Sequence, residues 1–292
     1  VLALLTVYIL WGSTAPAIKV AVQSVPPFVM AFTRFLVAGS ILWTWARVTR
    51  VPMPSARDWQ GAAISAMFLL VLSNATYGVA LESMPSGIGS LFFALTPIWN
   101  AIIAVVFYRE RIAPTALAGI ALGLGGLVYL FAPGGAPHVP ILTVLLASGC
   151  SLSWSIGSML QRRYPSTDVM QMSAMQMLVG CAMLGVLIPI SGERFVAADF
   201  TSAALGAIAF LVVFGSIVGF SAYVWLTRTQ STALASTNAY VNPVVSIIVA
   251  VSFLGERITP SEIVATVVIL AGVALMLVRA PARVTKVAAN ND

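Results

Sequence analysis

Three tryptophans set deep in apolar stretches, Trp11, Trp99 and Trp154, are the first residues whose type and position could do chemistry. With them go a few hydrogen-bonding groups: Asn74, Tyr77, Ser158, Tyr223, Asn238 and Asn242. The chemistry would be recognition, because aromatic walls with a few orienting polar groups suit a partly apolar small molecule. Ser73, Asn74 and Tyr77 fall at helical spacing, as do Ser216, Phe220 and Tyr223, so each set shares one helix face. The plainer role for such groups is glue between helices, and it is the expectation for Gly12, Gly157 and the stripe of Ser148, Ser151, Ser155 and Ser158. No nucleophile triad, metal-ligand spacing or phosphate-cradling loop can be drawn, and His138 falls in a connector. No catalytic residue, cofactor or metal is therefore expected, and the chain does not read as an enzyme.

Charge and backbone supply the remaining candidates. Lys19 and Arg34 fall inside apolar stretches, where an ionisable group is a functional candidate by default. Lys19 is near a stretch end and is expected to snorkel toward water. Arg34 lies about eight residues in, roughly 12 Å from the end, and could touch a ligand or serve backbone carbonyls or Glu82. Pro97 and Pro243 sit at matching mid-stretch places; each removes a backbone hydrogen bond and bends its helix, as a hinge or a fixed kink. No Asp or Glu lies mid-stretch, since Glu82, Glu110 and Glu256 all fall at ends. Proton-coupled carriers of organic cations generally place a carboxylate in the pathway. A neutral or zwitterionic ligand is thus expected.

The elements that must position these residues follow from composition. Hydrophobic residues make up 60% and charged residues 8%, against roughly half and about a quarter in a soluble domain. The apolar residues come in blocks of about twenty, long enough to cross a bilayer as helices. Period-two alternation is absent, so a barrel is excluded. The expected spans in the first half are Val1 to Val22, Pro26 to Ala46, Trp59 to Leu81, Pro85 to Tyr108 and Ile112 to Phe131. In the second half they are Val139 to Gln161, Val169 to Ile190, Phe200 to Leu226, Ser231 to Leu254 and Thr259 to Val278. Trp43, Trp45 and Trp59 read as interface anchors. Cys150 and Cys181 lie in apolar blocks, so no disulfide is expected. The first block carries no basic leader and no evident cleavage site, so a removed signal peptide is not expected.

The basic residues mark helix ends rather than a nucleic-acid patch, despite a pI near 9.7. With a cytoplasmic N-terminus, Arg47, Arg50, Arg57, Arg109, Arg111, Arg162, Arg163, Arg228, Arg279, Arg283 and Lys286 lie inside. Only Arg194 and Arg257 lie outside, a bias of eleven to two that places both termini in the cytoplasm.

The two halves also match each other. At the separation of Pro97 and Pro243, 146 residues, nine of eighteen positions agree between Pro97–Pro114 and Pro243–Pro260, Glu110-Arg111 and Glu256-Arg257 among them. The same shift carries Tyr77 onto Tyr223 and Ser90 onto Ser236, and a slightly different one pairs the region of Trp11 with that of Trp154. Five helices per half is an odd number, so the second half enters the membrane inverted. Inverted repeats let one central site open to either side in turn, which points to transport.

Ten helices in two repeats, Trp11-Gly12-Ser13 in the first span, and Pro followed by Glu-Arg at the ends of spans four and nine resemble the drug/metabolite transporter superfamily. The resemblance is to its EamA-type members and covers nearly the whole chain; within them the sequence is similar to bacterial aromatic amino-acid exporters. It implies an all-α protein of the bacterial inner (plasma) membrane with ten transmembrane helices as two inverted five-helix repeats. The repeats would be 1–131 and 139–278, joined by a linker 132–138 and followed by a cytoplasmic tail 279–292. It further implies export of amino acids, perhaps aromatic, or similar zwitterions by alternating access, through a cavity formed by spans one, three, four, six, eight and nine. The small multidrug relatives carry a carboxylate in their first span, which Thr6 to Trp11 lacks. The expected partners are a small-molecule substrate and lipid, with no nucleic acid, and a monomer suffices for a complete pathway. Two alternatives stay open: an exporter of drugs or nucleosides on the same fold, and a receptor that transports nothing.

Overall fold

Prolines and short polar side chains start the helices, and prolines also break them. The structure, a computed structural model, describes residues 2–109, 114–131, 139–161, 163–164, 168–219, 222, 226 and 238–277. α1 (Leu2–Gly12) and α2 (Thr14–Val22) form one rod interrupted at Ser13. The cause is Pro16, whose missing N–H leaves the Gly12 carbonyl without its helical donor. α3 (Pro27–Val48) begins on a proline at its first turn, where no N–H is needed. α4 (Ala56–Ala66) opens with a capping box, Ser55 and Asp58 each bonding the other's backbone N–H. It continues through a π-helical stretch, Met67–Ala75, into α5 (Thr76–Glu82).

α6 (Ser86–Ala94) and α7 (Thr96–Tyr108) part at Leu95, just before Pro97. The carbonyl that Pro97 cannot serve, that of Phe93, accepts the Thr96 hydroxyl at 2.7 Å instead. α8 (Pro114–Leu130) and α9 (Ile141–Gln161) follow. α10 (Val169–Ser191) starts on the Asp168 side chain and stops at Gly192, whose φ of 81° ends a helix without Cβ strain. A 3-10 turn, Ala197–Asp199, leads into α11 (Ser202–Phe210), capped by Thr201 and continued by a second π-helical stretch, Leu211–Val218. α12 (Asn238–Leu254) runs unbroken through Pro243, and α13 (Pro260–Leu277) closes the order.

Every regular element among the described residues is helical. Among the described residues six helical rods are long and apolar enough to cross a membrane, and four shorter apolar helices accompany them. They fall where the sequence expects spans, with shifted ends: the second runs on to Val48, the sixth starts at Ile141 and the eighth at Ser202. The break at Leu95 falls where Pro97 was expected to bend its helix, whereas the π-helical stretches and the break at Ser13 were not expected.

Small residues let the rods approach closely. α3 lies on α10, where a Cβ added at Gly39 would stand 3.2 Å from Leu178 Cγ and one at Gly185 would stand 3.4 Å from Phe32 Cε2. α8 lies on α13, where a Cβ at Gly126 would stand 3.1 Å from Ile269 N and one at Gly272 only 2.6 Å from Gly123 N. The first π-helical stretch meets α9 and α10. There a Cβ at Gly157 would stand 2.7 Å from Leu69 Cγ and one at Gly180 would stand 3.2 Å from Leu70 Cδ1.

Candidate functional site

The expected site residues divide into those already bonded and those left free. Trp11 Nε1 donates to the Gly215 carbonyl at 3.2 Å, tying α1 to the second π-helical stretch. Trp99 Nε1 donates to Ser151 Oγ at 2.9 Å, tying α7 to α9. Asn74 Nδ2 donates to Leu69 O at 3.0 Å, within its own rod. These three polar groups hold helices in place.

Tyr77 differs. It is buried, yet its hydroxyl finds no hydrogen-bond partner among the described residues, and the same holds for Asn242 Oδ1 and Ser73 Oγ. An orphaned buried polar atom costs about 1–3 kcal/mol, so each is a place where a ligand atom would be welcome. The Tyr77 ring stands edge-on to Phe93 with centroids 4.8 Å apart, and Phe93 stands edge-on to Trp154 at 6.1 Å. Such pairs contribute roughly 0.5–1.5 kcal/mol each beyond area burial. Tyr77, Phe93 and Trp154 thus form one aromatic row across α5, α6 and α9. Phe93 was missed in the sequence, although its place four residues before Pro97 could have marked it.

Trp154, Ser158, Asn238 and Asn242 are half-buried, as are Trp11, Asn74 and Trp99. A Cβ at Gly12 would stand 3.1 Å from the Asn242 carbonyl, so α1 and α12 touch beside Asn242. Thr76 Oγ1 and Cys150 Sγ lie 3.1 Å apart, joining α5 to α9. The helices carrying the candidates are therefore neighbours. Pro97 and Pro243 do not behave alike, since one sits at a break and the other in a continuous helix. Tyr223 lies outside the described residues, as do Glu110, the linker 132–138 and the tail 279–292.

Lys19 departs from the expected snorkelling, and Arg34 bonds neither Glu82 nor a backbone carbonyl among the described residues. Lys19 does not simply snorkel: its Nζ donates to the Leu81 carbonyl at 2.6 Å and the Glu82 carbonyl at 3.2 Å. It caps the C-terminus of α5, where a cation suits the helix dipole. Arg34 does not pair with Glu82: its Nε donates to Ser216 Oγ at 3.0 Å, and its guanidinium stands 5.3 Å from the Phe35 ring.

The bundle end that holds Lys19 is fastened by two further charges. Glu256, just past α12, accepts from Ser86 N at 2.9 Å, Ser86 Oγ at 2.8 Å and Gly87 N at 3.2 Å, capping α6. Glu193 accepts from Phe28 N and Val29 N at 3.0 Å, capping α3. Burial pushes the Glu193 carboxyl above the usual carboxylate range, against the downward pull of those two donors. A pocket of about 20 Å³ beside Glu256, lined by Ile88, Leu91 and Val251, has room for one water and not for a metabolite. At the opposite end Trp43 and Trp59 pack at 5.6 Å, and the Arg47 guanidinium lies 4.8 Å from the centroid of the Trp43 ring.

The rods, their apolar faces and their internally bonded backbones define a multi-pass helical membrane protein. The EamA-like transporter family model matches residues 1–132 and 141–278, and the chain belongs to that family. It is a membrane transporter, and the family is one of transporters rather than enzymes. The chain is 34% identical over 275 residues to the Escherichia coli protein described as the uncharacterized inner membrane transporter YedA, covering 94% of this chain and 89% of that one. It is 27% identical to a probable terminal-alkyne amino-acid exporter of Streptantibioticus cattleyicolor, covering 94% and 92%. It is 26% identical to a probable amino-acid metabolite efflux pump of Escherichia coli, covering 93% and 92%. A solved crystal structure shares the fold, with a TM-score of 0.66 at 22% identity over 94% of each chain. The protein is placed in the inner membrane, which it crosses several times.

Proposed function

We propose that the protein exports amino acids, aromatic ones included, or similar small zwitterions by alternating access. In this reading ten spans form two inverted five-helix repeats, 1–131 and 139–278, with both termini cytoplasmic and a single chain sufficient for the pathway. The observation that carries it is a set of interhelical contacts that recur with partners exchanged. Gly39 meets Leu178 while Gly185 meets Phe32, and each residue of the second pair stands 146 positions from one of the first. Gly126 meets Ile269 while Gly272 meets Gly123, at the same separation. Exchange of this kind is what a two-fold axis relating the halves produces. By the same rule Trp11 on Gly215 matches Gly157 on Leu69, so Gly157, rather than Trp154, takes the place of Trp11. The two π-helical stretches, Met67–Ala75 and Leu211–Val218, overlap when the halves are superposed by that shift.

Cargo would lie against the row of Tyr77, Phe93 and Trp154, with the Tyr77 hydroxyl and Asn242 Oδ1 as its polar contacts. Asn74, Trp99, Ser158, Tyr223 and Asn238 would form the surrounding wall. The Glu256 and Lys19 caps hold the outer ends of spans one, three, four and nine together, which closes that side. Pro97 and Pro243 act as hinges: the break at Leu95 and the straight path through Pro243 trade places when the protein turns outward. The names of two relatives, an amino-acid exporter and an amino-acid metabolite efflux pump, favour the same cargo. The test is flux of labelled tryptophan, phenylalanine, threonine and a nucleoside in proteoliposomes, for wild type and Trp154→Ala. Amino-acid flux that collapses in the variant supports the reading; nucleoside flux alone removes the amino acids and keeps the transporter.

A further inference from the structure

Arg34 is the buried base among the described residues, with 8% of its surface exposed. It stands seven residues beyond Pro27, about 10 Å along the helix. Its guanidinium has five N–H donors. Nε goes to Ser216, and the two terminal nitrogens make no hydrogen bond to a described residue. Among the described residues no acid is placed to answer it. Of nine carboxylates, Asp58, Glu82, Asp168, Glu193, Asp199, Glu256 and Glu262 belong to helix ends and loops. Glu110 and Asp292 lie outside the described residues, in a connector and at the chain end of the sequence. An unanswered cation in a low-dielectric interior is expensive, and a fork of parallel N–H groups is the shape that grips a carboxylate with two bonds.

The surroundings point the same way. A Cβ at Gly215 would stand 3.3 Å from Arg34 Nη2 and 3.4 Å from Thr14 Cγ2, and the Gly215 carbonyl holds the Trp11 indole. One glycine thus separates the guanidinium from a tryptophan of the candidate site. That glycine lies in a π-helical stretch, an irregularity that recurs at functional sites. The proposed repeat supplies a control. The counterpart of Arg34 is Gly180 and that of Ser216 is Leu70, and those two meet as a purely apolar contact. The packing of this corner therefore does not require a charge.

We propose that Arg34 binds the carboxylate of the cargo, with the aromatic side chains at the site taking its apolar part. This rests on the reading of that site as the place where cargo binds. It makes the substrate class a compact amphipathic carboxylate, and it makes the carboxylate, more than the amine, the group that is recognised.

The experiment measures ligand-induced thermal stabilisation of the purified full chain, together with competition against labelled L-phenylalanine in proteoliposomes. The ligands are L-phenylalanine, 3-phenylpropionate, L-phenylalaninamide and phenethylamine, on wild type, Arg34→Gln and Arg34→Lys. In wild type the two carboxylates should act at least tenfold more tightly than the amide and the amine. That ratio should fall to about one in Arg34→Gln and recover in part in Arg34→Lys. A merely structural Arg34 would lower all four alike, so an unchanged ratio in Arg34→Gln overturns the proposal, as does equal binding of acid and amide by wild type. If Arg34→Gln fails to fold, the ratio in Arg34→Lys decides, since a partial loss supports and an unaltered ratio overturns. If wild type moves no amino acid yet is stabilised by 3-phenylpropionate only when Arg34 is present, amino-acid export fails and the Arg34 assignment stands. If no carboxylate stabilises wild type, the assignment falls.

Discussion

Arg34 facing Ser216 and Gly180 facing Leu70 occupy corresponding corners of the two proposed repeats, and they are built from opposite chemistry. The first joins a charged donor to a hydroxyl beside Trp11 and Gly215. The second sets a bare glycine against a leucine, beside Gly157 and Leu69. Both corners bring the second helix of one half against a π-helical stretch of the other. The backbone arrangement tolerates either filling, so the charge marks what the two halves do differently rather than how they pack. The prolines repeat the lesson. Thr96 precedes Pro97 and satisfies the carbonyl that the proline abandons. Asn242 precedes Pro243 and keeps an Oδ1 that is unpaired among the described residues.

The sharpest way to break this comparison is to put the charge on the wrong side. Gly180→Arg would bury an unpaired cation against Leu70 and should destabilise by about 3 kcal/mol; a wild-type melting temperature in detergent would show that the corners are not opposites. Ser216→Leu strands Arg34 Nε and should cost about 2 kcal/mol. The double change Arg34→Leu, Ser216→Leu should recover most of that loss, because an apolar pair of similar size often replaces a buried polar one without penalty. Thermal unfolding of wild type, Arg34→Leu, Ser216→Leu and the double variant checks the cycle.

At the prolines, Thr96→Val leaves the Phe93 carbonyl alone and should lose about 1 kcal/mol. Asn242→Leu, at the corresponding position, should hold its stability and lose amino-acid flux, and the comparison fails if the two variants behave alike. The smallest contrast lies at the glycines of α3 and α10. A Cβ at Gly185 meets Phe32 at an ordinary 3.4 Å, whereas one at Gly39 meets Met177 Cβ at 3.0 Å. Gly185→Ala should therefore gain up to about 1 kcal/mol from helix propensity. Gly39→Ala should gain nothing, since overpacking opposes the same gain. Melting temperatures measured side by side distinguish them.

Much of the fold was legible in one dimension because a bilayer imposes span length directly, so blocks of about twenty apolar residues and the polar caps between them locate the rods. Less of the candidate site could be read. Trp99 and Trp11 stand out in the sequence as aromatic side chains deep in their spans, but the neighbouring helices to which their N–H groups donate do not. Lys19 looked like a snorkelling side chain and caps α5 instead. Phe93 carried no polar atom to mark it among the other phenylalanines, yet it joins Tyr77 to Trp154.

What the sequence by itself determined is the class: apolar blocks long enough to span a bilayer, basic residues gathered at their ends, a self-match between the halves, and no Asp or Glu in the middle of a block. Those properties follow from the transfer energy of whole segments and survive any rearrangement of their neighbours. Only the tertiary structure decided which face of each rod turns inward, because lipid and helix interior are both apolar and a single span does not distinguish them. The pairing of Arg34 with Ser216, the orphaned oxygens of Tyr77 and Asn242, and the caps at Glu193 and Glu256 all depend on that choice. Each joins residues more than a hundred positions apart or requires a neighbour to be absent, and packing alone brings such conditions about.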